Sequence, residues 1–208
     1  MNGLLLLALM LGAVVVVGLV WRYAYFCPSW LAPLLENPYV DAVAGAPRLL
    51  ERAGVRAGMR VLDAGSGPGR LTLAAAERIG PTGRVVAVDI QPAMLEKLER
   101  RLHERGIGNV TTVCAALGEG RLPAGEFDVA FLVTVLGEVP DRLATLREIH
   151  GALRTGGVLS ITEVLPDPHY QPIGRVRGLV QAAGFRGDSE VFPGLVSYTL
   201  NVAKAAAA

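Results

Sequence analysis

Apolar residues return along this chain in three rhythms. The first 21 residues, MNGLLLLALMLGAVVVVGLVW, contain no charged side chain. A proline-punctuated stretch, CPSWLAPLLENPYV, follows, and a first helix is predicted from about Val40 to Ala53. Beyond it two patterns alternate. MRVLDAG (59–65), GRVVAVDI (83–90), NVTTVCAA (109–116), FDVAFLVTVL (127–136) and GGVLSITEVL (156–165) are short apolar runs, predicted as strands. Between them lie stretches with apolar positions three and four residues apart. GRLTLAAAERIG is a helix closed by Gly80, and QPAMLEKLERRLHERG has Pro92 in its first turn with Met94, Leu95, Leu98 and Leu102 on one face. Asp141 caps RLATLREIHGAL, whose stripe is Leu143, Leu146, Ile149 and Leu153. GRVRGLVQAAG is the last helix, and FRGDSEVF with LVSYTLNVAK forms a closing strand pair. Strands alternating with helices predict an α/β fold, a mostly parallel sheet covered on both faces.

The uncharged opening changes this picture. About 20 apolar residues at 1.5 Å rise match the roughly 30 Å hydrocarbon core of a bilayer. A cleaved signal peptide needs a basic start and a small-residue cleavage site, and neither is present. A buried core helix of this length without charge does not suit a small domain. The expectation is therefore a single transmembrane helix over 1–22 and an interfacial connector over 23–39. The catalytic domain would occupy 40–204, with a disordered tail at 205–208. Trp21, Tyr23, Tyr25, Phe26 and Trp30 gather beside the apolar run, as at a membrane–water interface. Arg22 on the C-terminal side favours a single-pass cell-membrane protein with its domain in the cytoplasm.

The net charge of +1 over 208 residues gives no electrostatic case for nucleic acid. Cys27 and Cys114 stand alone, outside any CxxC or Cys/His cluster, so no metal site or disulfide framework is expected.

Candidate chemistry concentrates where the first strand meets its helix, in VLDAGSGPGRL (61–71). In such a sheet, ligands bind beyond the carboxyl ends of the strands, beside the first one. Glycines there let backbone approach a ligand, and the next helix offers free N–H groups to an anionic group. A dinucleotide fingerprint would place its third glycine at 70, which is arginine; the glycines stand at 65, 67 and 69. No GK[ST] follows, which excludes a P-loop. Asp89, at the end of the second strand, is placed to accept both hydroxyls of a ribose.

Together VLDAGSGPGRLT, GRVVAVDIQPAMLE and FDVAFLVTVLGEVPDRLATLREIHGALRTGGVLSITE resemble the class I S-adenosylmethionine-dependent methyltransferases, in particular the group that includes quinone-ring C-methyltransferases. The resemblance covers about residues 45 to 203. It implies a Rossmann-like, doubly wound seven-stranded sheet in the order 3-2-1-4-5-7-6 with the last strand antiparallel. It also implies that Asp63, Gly65, Ser66 and Gly67 face the methionine part of the cofactor, with Gly69 letting the helix start close by. Asp89 would hold the ribose hydroxyls and Ile90 pack on the adenine. Where the family carries an acidic residue after the third strand, this chain has Ala115 and Ala116, so the backbone around Ala116 and Leu117 is expected to serve. Val133 and Thr134 would line the methyl-donor pocket.

Methyl transfer from a sulfonium needs alignment and exclusion of water, and a base only where the acceptor loses a proton. LGEVPD puts Glu138 after the fourth strand, and TEVLPDPHY puts Glu163, Asp167, His169 and Tyr170 at and beyond the end of the fifth. Glu138 is the first candidate to orient or deprotonate the acceptor, and His169 or Tyr170 the second. The anchor points to a lipophilic small-molecule acceptor: a quinone, prenylated or phospholipid-like compound. The alternatives are a small soluble acceptor, or a cofactor-binding regulator without turnover.

Overall fold

The computed structural model describes residues 7, 10, 12–16, 27, 29 and 37–206. Its elements run α1 (Pro38–Ala44), α2 (Ala46–Arg52), β1 (Arg60–Ala64), α3 (Arg70–Ile79), β2 (Arg84–Asp89), α4 (Pro92–Glu104), β3 (Val110–Cys114) and β4 (Phe127–Val133). They continue with α5 (Arg142–Ala152), β5 (Leu153–Val164), α6 (Ile173–Ala182), β6 (Ser189–Pro193) and β7 (Ser197–Ala203). The strands form one seven-stranded sheet in the order β3-β2-β1-β4-β5-β7-β6. Pairings from β3 through β5 are parallel, and β7 runs antiparallel to both neighbours. This is the predicted Rossmann-like order.

Strand alternation assigns the two layers. Val61, Val85, Val129 and Phe131 point to one face, where Leu49 and Leu50 of α2 and Leu71, Ala75 and Ile79 of α3 cover them. Leu62, Val86, Ala130, Leu132 and Ile161 point to the other, under Leu146 and Ile149 of α5 and Val176 and Val180 of α6. Burial on both faces is why these strands are near-continuous apolar runs. The sheet reverses its order between β1 and β4, so the loops after β1, β2 and β4 converge on one crevice.

Two elements differ from expectation. The first helix is broken: Gly45 turns to φ −59, ψ 132 between α1 and α2, and Pro47 stands in the first turn of α2. Leu153, counted on the α5 stripe, is the first residue of β5, with φ −71 and ψ 139. It is fully buried in either role, so burial periodicity alone does not place the boundary.

The N-terminal expectation is corrected. The anchor over 1–22 and the connector over 23–39 fall largely outside the described residues, and so do 207 and 208 of the tail. Among the described residues no helix is long and apolar enough to cross a membrane. The single-pass cell-membrane placement with a cytoplasmic domain is therefore withdrawn.

Candidate active site

Three glycines between β1 and α3 answer to different constraints. Gly65 (φ 80) follows the strand, and its N–H and that of Ser66 both donate to the Val88 carbonyl of β2, at 2.8 and 2.9 Å. A Cβ on Gly65 would strike the Val135 side chain. Gly69 (φ 94) caps α3 where a Cβ would strike Leu98 of α4. Gly67 (φ 52) has nothing within 4 Å of a would-be Cβ, so there the backbone lies bare beside open space. Arg70, the first residue of α3, turns away to donate to the Ala44 carbonyl at 2.7 Å, with Asp41 at 3.7 Å.

The two acids of the crevice are held differently. Asp63 is 3% exposed and accepts from the Thr72 hydroxyl at 2.5 Å. Burial pushes its carboxyl up to about 6, against the pull of that hydrogen bond. Asp89 accepts the Gly67 N–H on Oδ2 and the Gln91 N–H on Oδ1, both at 2.8 Å. Burial raises its carboxyl, and N–H donors from Gln91, Gly67 and Ile90 oppose the rise. One carboxylate thus ties the glycine loop to the start of α4 and keeps lone pairs for a ligand.

A cavity of about 560 Å³ opens over these groups. Asp63, Gly65, Ser66, Gly67, Asp89, Ile90, Ala116, Leu117, Val133 and Thr134 all line it. Gly69 does not; it sits behind the wall, in the packing of α3 on α4. Ile90 is 53% exposed, an apolar face waiting at the rim. Thr134 has φ 56, a left-handed conformation rare for a β-branched residue, fixed by its N–H donating to the Thr162 carbonyl at 2.8 Å.

The far end is built by the loops after β4 and β5, which meet where a Cβ on Gly137 would run into the His169 carbonyl. Glu138 and Asp167 line the cavity; His169 and Tyr170 do not. His169 is behind the wall, its Nδ1 4.0 Å from Glu138 Oε1 and 3.9 Å from Asp167 Oδ1. Its N–H donates to Asp167 Oδ1 at 2.7 Å, and its carbonyl accepts from Gln171 Nε2 at 2.6 Å. Tyr170 stacks edge-on against Tyr198, 6.0 Å between centroids. Of the residues singled out at this end, the fold brings Glu138 to the cavity and puts Asp167 where His169 and Tyr170 were expected.

Cys27 was missed by sequence reasoning. It is 5% exposed, lines the cavity, and its carbonyl accepts from Gln91 Nε2 at 2.8 Å. Two residues on, the Ser29 carbonyl accepts from Lys97 Nζ at 2.6 Å. Burial, then the charges of Glu138, Asp167 and Asp89, push its thiol up to about 12. No local pattern links a cysteine at 27 to acids at 89, 138 and 167; only the tertiary fold does.

Residues 61–157 match the family model described as "Methyltransferase domain". Over that stretch the chain is similar to methyltransferase domains. It is 37% identical over 126 residues to nocamycin O-methyltransferase of Saccharothrix syringae, covering 59% of this chain and 44% of that one. It is 36% identical over 121 residues to the ubiquinone/menaquinone biosynthesis C-methyltransferase UbiE of Shewanella sp. (strain ANA-3), covering 58% of this chain and 48% of the relative. This chain thus spans about half or less of the length of these curated relatives. Its fold is that of a SAM-dependent methyltransferase from Aquifex aeolicus, at TM-score 0.78 and 22% identity, with 86% of this chain and 100% of that chain covered.

The residues present fit the cofactor. The buried Ser66 hydroxyl has no hydrogen-bond partner, the Gly67 backbone is uncovered, and Asp89 keeps acceptor capacity, all beside the same cavity.

Proposed function

We propose that this protein, with its domain at about 40–204, methylates a lipophilic small molecule, the acceptor being of the quinone-ring or a similar apolar kind. The observation that carries this reading is one cavity running from Asp89 and the glycine loop to Glu138, walled between them by Leu117, Val133, Val135, Val139, Val164 and Leu165. Apolar walls with few polar groups at the ends orient a greasy ligand and keep water out.

S-adenosylmethionine supplies the methyl group on a sulfonium, and the protein's own residues do the rest. Asp89 accepts the ribose hydroxyls while its other contacts hold Gly67 in place. Ile90 covers the adenine, with the backbone at Ala116 and Leu117 along its edge. Gly65, Ser66 and Gly67 meet the methionine end, Asp63 fixes β1 to α3 beneath them through Thr72, and Gly69 lets that helix start close. Val133 and Thr134 form the wall where donor and acceptor meet. Glu138 orients the acceptor and takes its proton where one is lost. The relatives' names include both carbon and oxygen methylation, and the product distinguishes them.

The test has two parts. Asp89→Ala removes a charge-assisted contact and should weaken S-adenosylmethionine binding in calorimetry by about 1.5–3 kcal/mol, roughly 10- to 150-fold. Unchanged affinity would remove Asp89 from the site. Cell extract incubated with methyl-labelled cofactor should pass label to the organic phase; label confined to water-soluble products would end the lipophilic reading.

A further inference from the structure

We propose that the methyl acceptor has an entrance of its own, between Tyr39 of α1 and Leu165 beyond β5, and that Tyr39 sets the width of molecule that passes. The word acceptor rests on the methyl-transfer reading above; the entrance itself rests on geometry. Among the described residues that line the cavity, three large apolar or aromatic side chains are also open to solvent: Ile90 at 53%, Tyr39 at 43% and Leu165 at 42%. They do not share one rim. Ile90 directly follows β2 and Leu165 directly follows β5, and the order β2-β1-β4-β5 puts those strand ends three places apart. At about 4.8 Å between neighbouring strands, that is about 14 Å. The rim at Ile90 adjoins Asp89 and the cofactor's place; the rim at Tyr39 and Leu165 lies across the crevice from it.

Along this second rim α1 lies as a bar with a fixed backbone. At its C-terminal end the Ala44 carbonyl accepts from Arg70 of α3 at 2.7 Å, and the Val43 carbonyl accepts from the Ser197 hydroxyl of β7 at 3.1 Å. At its N-terminal end Asn37 Oδ1 accepts the N–H groups of Tyr39 and Val40 at 2.9 and 3.1 Å. The Tyr39 side chain then crosses the gap, its hydroxyl donating to the Leu165 carbonyl. Leu165 is held from the other side, its N–H donating to the Val196 carbonyl at 2.7 Å. One rotatable aromatic side chain thus joins two fixed pieces of backbone. Its hydrogen bond is worth little net on a half-exposed rim, because water replaces it when it opens. Swinging the ring aside leaves a slot with apolar sides, which suits a narrow lipophilic molecule and holds back a wide one.

The test uses stopped-flow fluorescence of N-phenyl-1-naphthylamine, a neutral apolar probe, mixed with the full chain at saturating S-adenosylmethionine. A latch that must open for entry and for exit slows both, so its removal speeds both and leaves the affinity alone. Tyr39→Phe keeps the ring and removes the latch. Association and dissociation should both rise about three- to tenfold, with Kd within about twofold of wild type. S-adenosylmethionine affinity and the urea midpoint should stay near wild type, which a merely structural role would not predict beside faster probe exchange. Tyr39→Ala removes the ring as well, and should speed entry of pyrene, a wider rigid probe, more than that of N-phenyl-1-naphthylamine. Unchanged rates in Tyr39→Phe, faster dissociation alone with a matching loss of affinity, or no relative gain for pyrene in Tyr39→Ala would each overturn the entrance. So would wild-type protein in which the probe finds no site beside the cofactor, since the two ligands would then share one mouth. Wild-type protein that binds no S-adenosylmethionine would defeat the proposed function, while probe rates measured without it would still decide the entrance.

Discussion

Glu163, near the end of β5, is 1% exposed and accepts the Gln171 N–H on Oε2 at 3.0 Å, while Oε1 has no partner. Burial pushes its carboxyl from 4.5 to about 8, helped by Asp167 and opposed by the Gln171 N–H and Arg142. The folded state therefore holds this proton more tightly than the unfolded one. Its contribution to stability is complete below about pH 4.5, falls as pH rises to about 8, and is flat above. Glu163→Gln keeps the acceptor for Gln171 and should flatten that window, leaving the shallower slope of Asp63 between 3.8 and about 6. The gain at pH 8 should reach at most about 5 kcal/mol in urea unfolding. An unchanged slope between pH 6 and 8 would mean that Glu163 is ionised in the folded protein. The same loop shows what a sequence can and cannot say about residues. TEVLPDPHY marks acids and a histidine beyond a strand, yet whether Asp167 or His169 reaches the cavity depends on a turn in which His169 N–H folds back onto Asp167. Asp89 was legible because a strand end fixes its position in the crevice whatever the loops do.

At the scale of elements, the glycine loop separates two roles that one motif combines. Gly69→Ala forces a Cβ into a φ of 94 and into Leu98, which is fully buried and has nowhere to move. Left-handed strain of about 1–2 kcal/mol and overpacking of about 1–3 kcal/mol should together cost about 2–5 kcal/mol of stability. Gly67→Ala meets no atom within 4 Å, so it should cost stability only through its backbone while obstructing S-adenosylmethionine directly. Denaturant unfolding set beside calorimetry checks the contrast: equal losses of stability and affinity in both variants would refute it. Element identity was legible from β1 to β7 because helical and strand periodicities differ strongly there. The misread boundary at Leu153 arose because a residue buried in both α5 and β5 carries no periodic information, and the break at Gly45 because a single residue leaving helical backbone leaves no hydropathic trace.

For the whole molecule, strand order rather than composition sets where stability resides. β1 and β4 lie between covered faces at the sheet's centre, whereas β3 and β6 form its edges with partly exposed residues throughout. Amides of β1 and β4 should exchange with solvent roughly a hundredfold or more slowly than those of β6, whose opening requires loss of one neighbour only. Comparable protection in β6 and β4 would imply a cover over that edge. The order 3-2-1-4-5-7-6 followed from the resemblance carried by the glycine loop and strand ends, since no hydropathy pattern states which strands are neighbours. The N-terminal segment shows the converse: hydropathy marked 1–22 as a span and 23–39 as a connector, but carried no sign that Cys27 of that connector would line the cavity. The insertion of β7 between β5 and β6 bears on how the chain is made. On the ribosome β6 emerges before β7, and its hydrogen-bonding partner has then not been synthesised. Until β7 arrives, β5 presents an unpaired edge over Val158–Val164. A pause in translation between residues 193 and 197 would hold the nascent protein in its most adhesive form, with the cavity's far wall already in place and the sheet still unsealed.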